Sequence, residues 1–242
     1  MENLIYVIFV FTLAGLVKGV TGLGLPTLSM ALLALVMPPM QAAGLLIVPS
    51  LLTNAWQLLS GGPVYPLWER LRPMMLGICL GTLAGGLLLR HSGMATATLG
   101  LALVAYALMN ICSCQWRVGE HDEPWLSPLT GAMTGVLCSA TGVFVLPAVP
   151  YLQAIGLRKD QLVQAMGMAF TVSTMALAVS LAAQDAWQPE LAGMSFAAQL
   201  PALAGMWAGQ RIRRRMDPLL FRQCLLAVFL LTGVYLTIKS LT

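Results

Sequence analysis

Lys18 stands where a charge is least expected. It lies in the stretch Gly15–Pro26, which reads G-L-V-K-G-V-T-G-L-G-L-P inside a long apolar run. An ammonium among glycines and a threonine is a set of hydrogen-bond donors, and donors suit an anion. Each glycine costs a helix roughly 1 kcal/mol against alanine. In hydrocarbon such a break survives only when it is buried in protein or lines a wet cavity. A broken helix also bares backbone N–H groups and the positive end of its dipole, both of which attract anions. Lys18, Gly19, Thr21, Gly22 and Gly24 therefore form the first part of a candidate substrate-binding set. Asn54 and Gln57 extend it from the next apolar run. Thr141 and Gly142 break a later run in the same way. The run after that carries Gln164, Thr171, Ser173 and Thr174, of which Thr171 and Thr174 join the set. A charge inside the membrane points to function by default.

Each of these residues also has a plainer role open to it. Lys18 could snorkel to an interface, Asn54 could bond a neighbouring helix, and the threonines could bond back to their own helices. The glycines of residues 77–86 and 205–209 read as packing contacts, because Gly77, Gly81 and Gly85 share one helix face and small residues let helices approach closely.

A catalytic centre would need other residues. Both histidines, His91 and His121, fall in polar loops, and Glu2, Glu69, Asp160, Asp185, Glu190 and Asp217 stand at the ends of apolar runs. That distribution supplies no nucleophile with a base and no carboxylate proton relay. Cys112 and Cys114 form C-x-C without a histidine beside them, and the chain's cysteines read mainly as small hydrophobes. The expectation is a protein that is not an enzyme and needs no metal or cofactor. A non-transporting membrane scaffold is the other class to weigh. It would tolerate apolar replacements of Lys18 and Asn54, whereas a transporter would lose flux.

Membrane helices must position this set. Of the 242 residues, 58% are hydrophobic and 9% are charged, with a mean hydropathy of +0.82; soluble domains carry about 25% charged residues. The net charge of +4 bears on orientation in a membrane, and no basic-aromatic pattern suggests nucleic acid. The opening residues look like a retained membrane segment, since they have no basic n-region and no A-x-A site. A span takes about 20 apolar residues. Residues 4–19 and 25–37 flank the first break and are short. Full-length runs follow at 40–60, 67–89 and 94–114. After a polar connection, residues 126–140 and 143–156 flank the second break, followed by 161–183, 191–209 and 218–238.

The two halves correspond. At one fixed offset Gly15 falls on Gly135, Thr21 on Thr141, Gly22 on Gly142, Gln41 on Gln161 and Ser60 on Ser180. At a slightly longer offset, Gly81, Ala84 and Gly85 fall on Gly205, Ala208 and Gly209. The expected organisation is a single transporter domain over 1–242, with repeat 1 at 1–115, a linker at 116–125 and repeat 2 at 126–242. Interrupted segments at matching places in two halves are a sequence pointer to a transporter site. If each broken element is a hairpin, nine basic residues share one face and only Arg90 and Lys239 lie on the other. Single crossings give seven and four. The positive-inside bias favours hairpins, hence inverted repeats with both termini outside. The fold class is then an all-α, polytopic integral membrane protein of two inverted repeats, each a broken-helix hairpin plus three transmembrane helices.

The motif Gly15, Lys18-Gly19, Thr21-Gly22, Gly24 and Pro26, with Gly135, Thr141-Gly142 and Pro147 in the second half, resembles the sulfite exporter TauE/SafE family, also called the toluene sulfonate uptake permease family. Members more often carry a run of glycines after the break, where Phe144 and Val145 stand here. The resemblance implies transport of sulfur-containing or small organic anions across a bacterial cytoplasmic (inner) membrane. Export of sulfite or an organosulfonate by alternating access is the expected activity, with import of a sulfonate or small carboxylate as the alternative. The expected partners are a small anionic substrate and the bilayer, no nucleic acid, and a second copy in a homodimer if the chain associates.

Overall fold

The computed structural model describes residues 2–88, 95–111, 117–183, 189–212 and 218–240. Ten helices and no strand are found among them: α1 Glu2–Thr21, α2 Leu25–Leu33, α3 Pro39–Leu59, α4 Val64–Leu88, α5 Ala95–Ile111, α6 Glu123–Thr141, α7 Ala148–Ala154, α8 Lys159–Ala183, α9 Pro189–Ile212 and α10 Pro218–Lys239. Arg90, His91, Cys112, Cys114, Asp185, Arg213, Arg214, Arg215 and Asp217 lie outside the described residues.

The first break is built by local chemistry. The N–H of Gly22 donates to Lys18 O at 2.8 Å, and Gly22 adopts φ 77°, the left-handed cap that closes many helices. The Thr21 hydroxyl bonds to Val17 O at 2.9 Å and accepts from Leu23 N at 3.1 Å, tying off the exposed turn. Pro26 then enters the first turn of α2, where its missing N–H costs nothing. α2 folds back along α1, and Tyr6 OH donates to Leu32 O at 2.7 Å.

The second break is longer than the sequence suggests. Gly142 caps α6 with φ 66°, but residues 143–147 stay non-helical and α7 spans only Ala148–Ala154. Pro147 explains the delay, since a residue before proline is pushed out of the helical region. α7 also returns to the end where α6 begins. Val118 N donates to Ala154 O at 3.1 Å, and Arg70 bridges Glu123 at 2.7 Å while donating to Ile155 O at 2.9 Å. Glu123 falls inside the expected linker 116–125, so α6 starts slightly early.

Close helix pairs fix the rest. α1 packs on α9 and α4 on α6, while α3 lies against α8 and α9, α8 also against α4, and α5 against α10. Both glycine seams are tight. A Cβ on Gly15 or Gly19 would fall on the Ala202 or Met206 carbonyl of α9, and Gly205 and Gly209 face Thr12 and Leu16 of α1 in return. Gly77 and Gly81 meet α6 at Pro128 and Ala132, and Gly131 and Gly135 meet α4 at Met74 and Ile78. Pro49 inside α3 cannot donate to Leu45 O, and Ser195 of α9 supplies that bond at 2.8 Å while accepting Val48 N at 3.2 Å.

Among the described residues three helices have the length and hydropathy to cross a bilayer, over Leu4–Thr21, Pro39–Leu59 and Lys159–Ala183, and Ala95–Ile111 and Gln223–Lys239 are shorter apolar helices. Leu76, Leu80 and Leu87 of α4, Leu200 of α9 and Leu231 of α10 point their side chains outward. Apolar exteriors of this kind fit lipid, and the chain is a multi-pass membrane protein.

Candidate anion-binding site

The site forms where the end of α1 meets the end of α3, the start of α8 and the end of α9. A cavity of about 640 Å³ opens there, within the size range of small-molecule pockets. Lys18, Gly19 and Gly22 line it from α1, and Thr53, Trp56 and Gln57 from α3. The turn Ser60–Gly62 contributes backbone, while Lys159, Asp160, Val163 and Gln164 close it from α8, and Met206 and Gln210 from α9.

Lys18 is only 5% exposed. Its Nζ donates to Oδ1 of Asn54, which is wholly buried behind it. The opposite end of that amide, Asn54 Nδ2, has no hydrogen-bond partner among the described residues. A buried donor without a partner is costly, and this one is on the same amide whose oxygen faces Lys18. Gly22 adds open space, since nothing lies within 4 Å of where its Cβ would be.

Two glutamines cross the α3–α8 interface in opposite senses. Gln57 Nε2 donates to Val163 O at 2.9 Å. Gln164 Nε2 donates to Leu58 O at 3.0 Å and to Gly62 O at 2.8 Å. Each therefore anchors its helix to a backbone carbonyl of the other. Gly167 presses on Asn54 O and Leu58 N, so the two helices approach closely just behind the cavity.

The structure brings Lys18, Gly19, Gly22 and Gln57 to the cavity wall, with Asn54 buried behind Lys18. It does not bring the other candidates to this cavity. Thr21 is occupied at the break, and Gly24, with φ 100°, shapes the entry to α2 against Val17. Thr141 bonds Leu137 O at 2.6 Å and accepts Val143 N at 3.1 Å. Gly142 abuts the Met30 side chain. Thr171 and Thr174 bond back to Gly167 O and Phe170 O, both at 2.7 Å. Around the second break Val143, Phe144 and Val145 are all buried. Ser173 of α8, whose carbonyl meets Cys138 Sγ, is buried with no partner for its hydroxyl. Lys159, Asp160, Trp56 and Gly61–Gly62 are lining residues that spacing does not single out, because they meet only once α8 is docked on α3. Gln164 did carry a signal, being an amide in an apolar run.

The sulfite exporter TauE/SafE family model matches residues 7–236, nearly the whole chain. The chain belongs to the sulfite exporter TauE/SafE family. Membership in the TauE/SafE family implies membrane transport of sulfur-containing anions and speaks for a transporter in place of an enzyme. No curated protein and no solved structure matches the chain. Within the TauE/SafE frame, a buried cation beside an open cavity is the feature of this fold best suited to an anion.

Proposed function

We propose that this protein exports sulfite, an organosulfonate or a related small anion from the cytoplasm of a bacterium, by alternating access around Lys18. The observation that carries the reading is the buried Lys18 ammonium, backed by a neutral amide and facing a cavity. The anion takes donors from Lys18, Asn54 Nδ2 and the backbone near Gly22, replacing its water shell. A bilayer potential, negative inside, favours outward movement of an anion by about 2.3 kcal/mol per charge per 100 mV.

The proposal includes two inverted repeats, 1–115 and 126–242. The helix pairs support it: exchanging α1–α5 for α6–α10 turns the α1–α9 seam into the α6–α4 seam, and α3–α9 into α8–α4. The start of α1 is tied to the end of α2 at Tyr6 and Leu32, at the end of the bundle away from the cavity. The start of α6 is tied to Arg70 and Ile155 near the mouth. The cavity is one half-open state, and the apolar packing of Met30, Gly142 and Phe144 is the closed side.

Purified protein in liposomes, loaded with sulfite, sulfate, sulfoacetate or a simple carboxylate, tests the reading. At least one anion should leave in response to an imposed potential, and Lys18→Met should reduce that flux to background. A protein inert to every anion yet active on a cation or neutral solute would overturn it.

A further inference from the structure

We infer that the Lys18 site is matched to an anion with a single negative charge and discriminates against dianions of the same size. This deepens the anion-transport reading above and rests on it. Lys18 is buried, and its hydrogen-bond partner, Asn54, is neutral. Among the described residues no carboxylate comes within ion-pair distance of Lys18. A buried ion is costly unless something neutralises it, and one anionic charge neutralises Lys18.

The rest of the wall adds no net positive charge. Lys159 also lines the cavity, but Asp160 follows it and lines the same cavity with the opposite sign. The charged groups of the lining therefore sum to one positive charge. The remaining donors are neutral. An ammonium has three N–H bonds, so Lys18 keeps donors beyond the one that Asn54 accepts. Asn54 Nδ2 is buried and unpartnered. Gln57 and Gln164 already direct their amide hydrogens at backbone carbonyls. A second negative charge on the ligand would be taken out of water with no cation against it. Neutral donors orient oxygen atoms, but they do not cancel that charge.

Methanesulfonate and sulfate isolate the charge, because both are tetrahedral about sulfur and of similar size. Their efflux is measured from proteoliposomes of the full chain at mildly acidic pH, where the Lys18 amine is protonated, with the potential clamped at zero so that the field favours neither. Methanesulfonate should leave roughly tenfold faster than sulfate, or more. Gln57→Arg, which adds a cation to the wall, should narrow the ratio by raising sulfate flux; a ratio left unchanged in a folded Gln57→Arg protein counts against the assignment. Should that variant fail to fold, the ratio in the unmodified protein decides. Sulfate efflux equal to or above that of methanesulfonate overturns the single-charge assignment and leaves anion transport standing. If no anion moves, both readings fall.

Discussion

At the scale of single residues, Asn54 fixes Lys18 by one end of a neutral amide and leaves the other end free. Removing the amide alone strands a buried ammonium, and a hydrogen bond to a charged group is worth about 1.5–3 kcal/mol. Asn54→Leu should therefore lower stability by about 2 kcal/mol, read by thermal unfolding in detergent, and abolish flux. Lys18→Met with Asn54→Leu removes both partners, which can be nearly neutral when the shapes are kept. The double variant should recover most of the lost stability and none of the flux. A double variant as unstable as Asn54→Leu would mean that the pair is not a unit. Lys18 and Asn54 were legible in the sequence because charge and amide are rare in apolar runs. The threonines were not, since a hydroxyl in a helix can face a ligand or the carbonyl four residues back. Thr141, Thr171 and Thr174 all take that carbonyl.

At the scale of elements, the two glycine seams decide which helices hold the broken hairpins. A helix that ends in the membrane has lost backbone bonds, and a flat partner face lets it pack along its whole length. Gly135→Ala should cost about 1–3 kcal/mol, because its Cβ would fall on Ile78 O and Thr82 N of the α4 backbone. Gly193→Ala in α9 is the control, with nothing within 4 Å of the added carbon. It should be neutral or stabilising by up to about 1 kcal/mol, from helix propensity alone. Equal losses in both variants, measured as unfolding midpoints in one detergent, would count against a seam-specific role. The seam on α4 was legible as glycines four apart. Its partner was not, because pairing is set by the meeting of two faces far apart in the chain. The length of α7 was misjudged for a related reason. Residues 143–146 are apolar enough for a helix, yet the residue before Pro147 is pushed out of the helical region, and the segment stays irregular up to Ala148.

At the scale of the whole molecule, the cavity and the basic residues share one end. Gly61, Gly62, Lys159 and Gln210 line the opening. Arg70 is tied to Ile155, Val118 to Ala154, and Arg211 stacks on Trp207 just beyond Gln210. Arg117 and Arg158 adjoin these contacts in the chain. Basic residues gather on the cytoplasmic face of membrane proteins, so the cavity should open inward. The second break, outside the cavity lining, is packed shut by Val143, Phe144 and Val145, which leaves transport dependent on an opening there. Cysteine labelling separates the two faces. In a chain whose five native cysteines are replaced, Gly62→Cys should resist an impermeant maleimide added to intact cells and react in inside-out vesicles. Met40→Cys, exposed at the start of α3 near the far end, should show the reverse. If alternating access is right, a transported anion should slow labelling at Gly62→Cys, since occupancy shifts the population away from the inward-open state. Labelling of Gly62→Cys from outside the intact cell would invert the orientation. Labelling indifferent to every transported anion would leave the cavity a static vestibule.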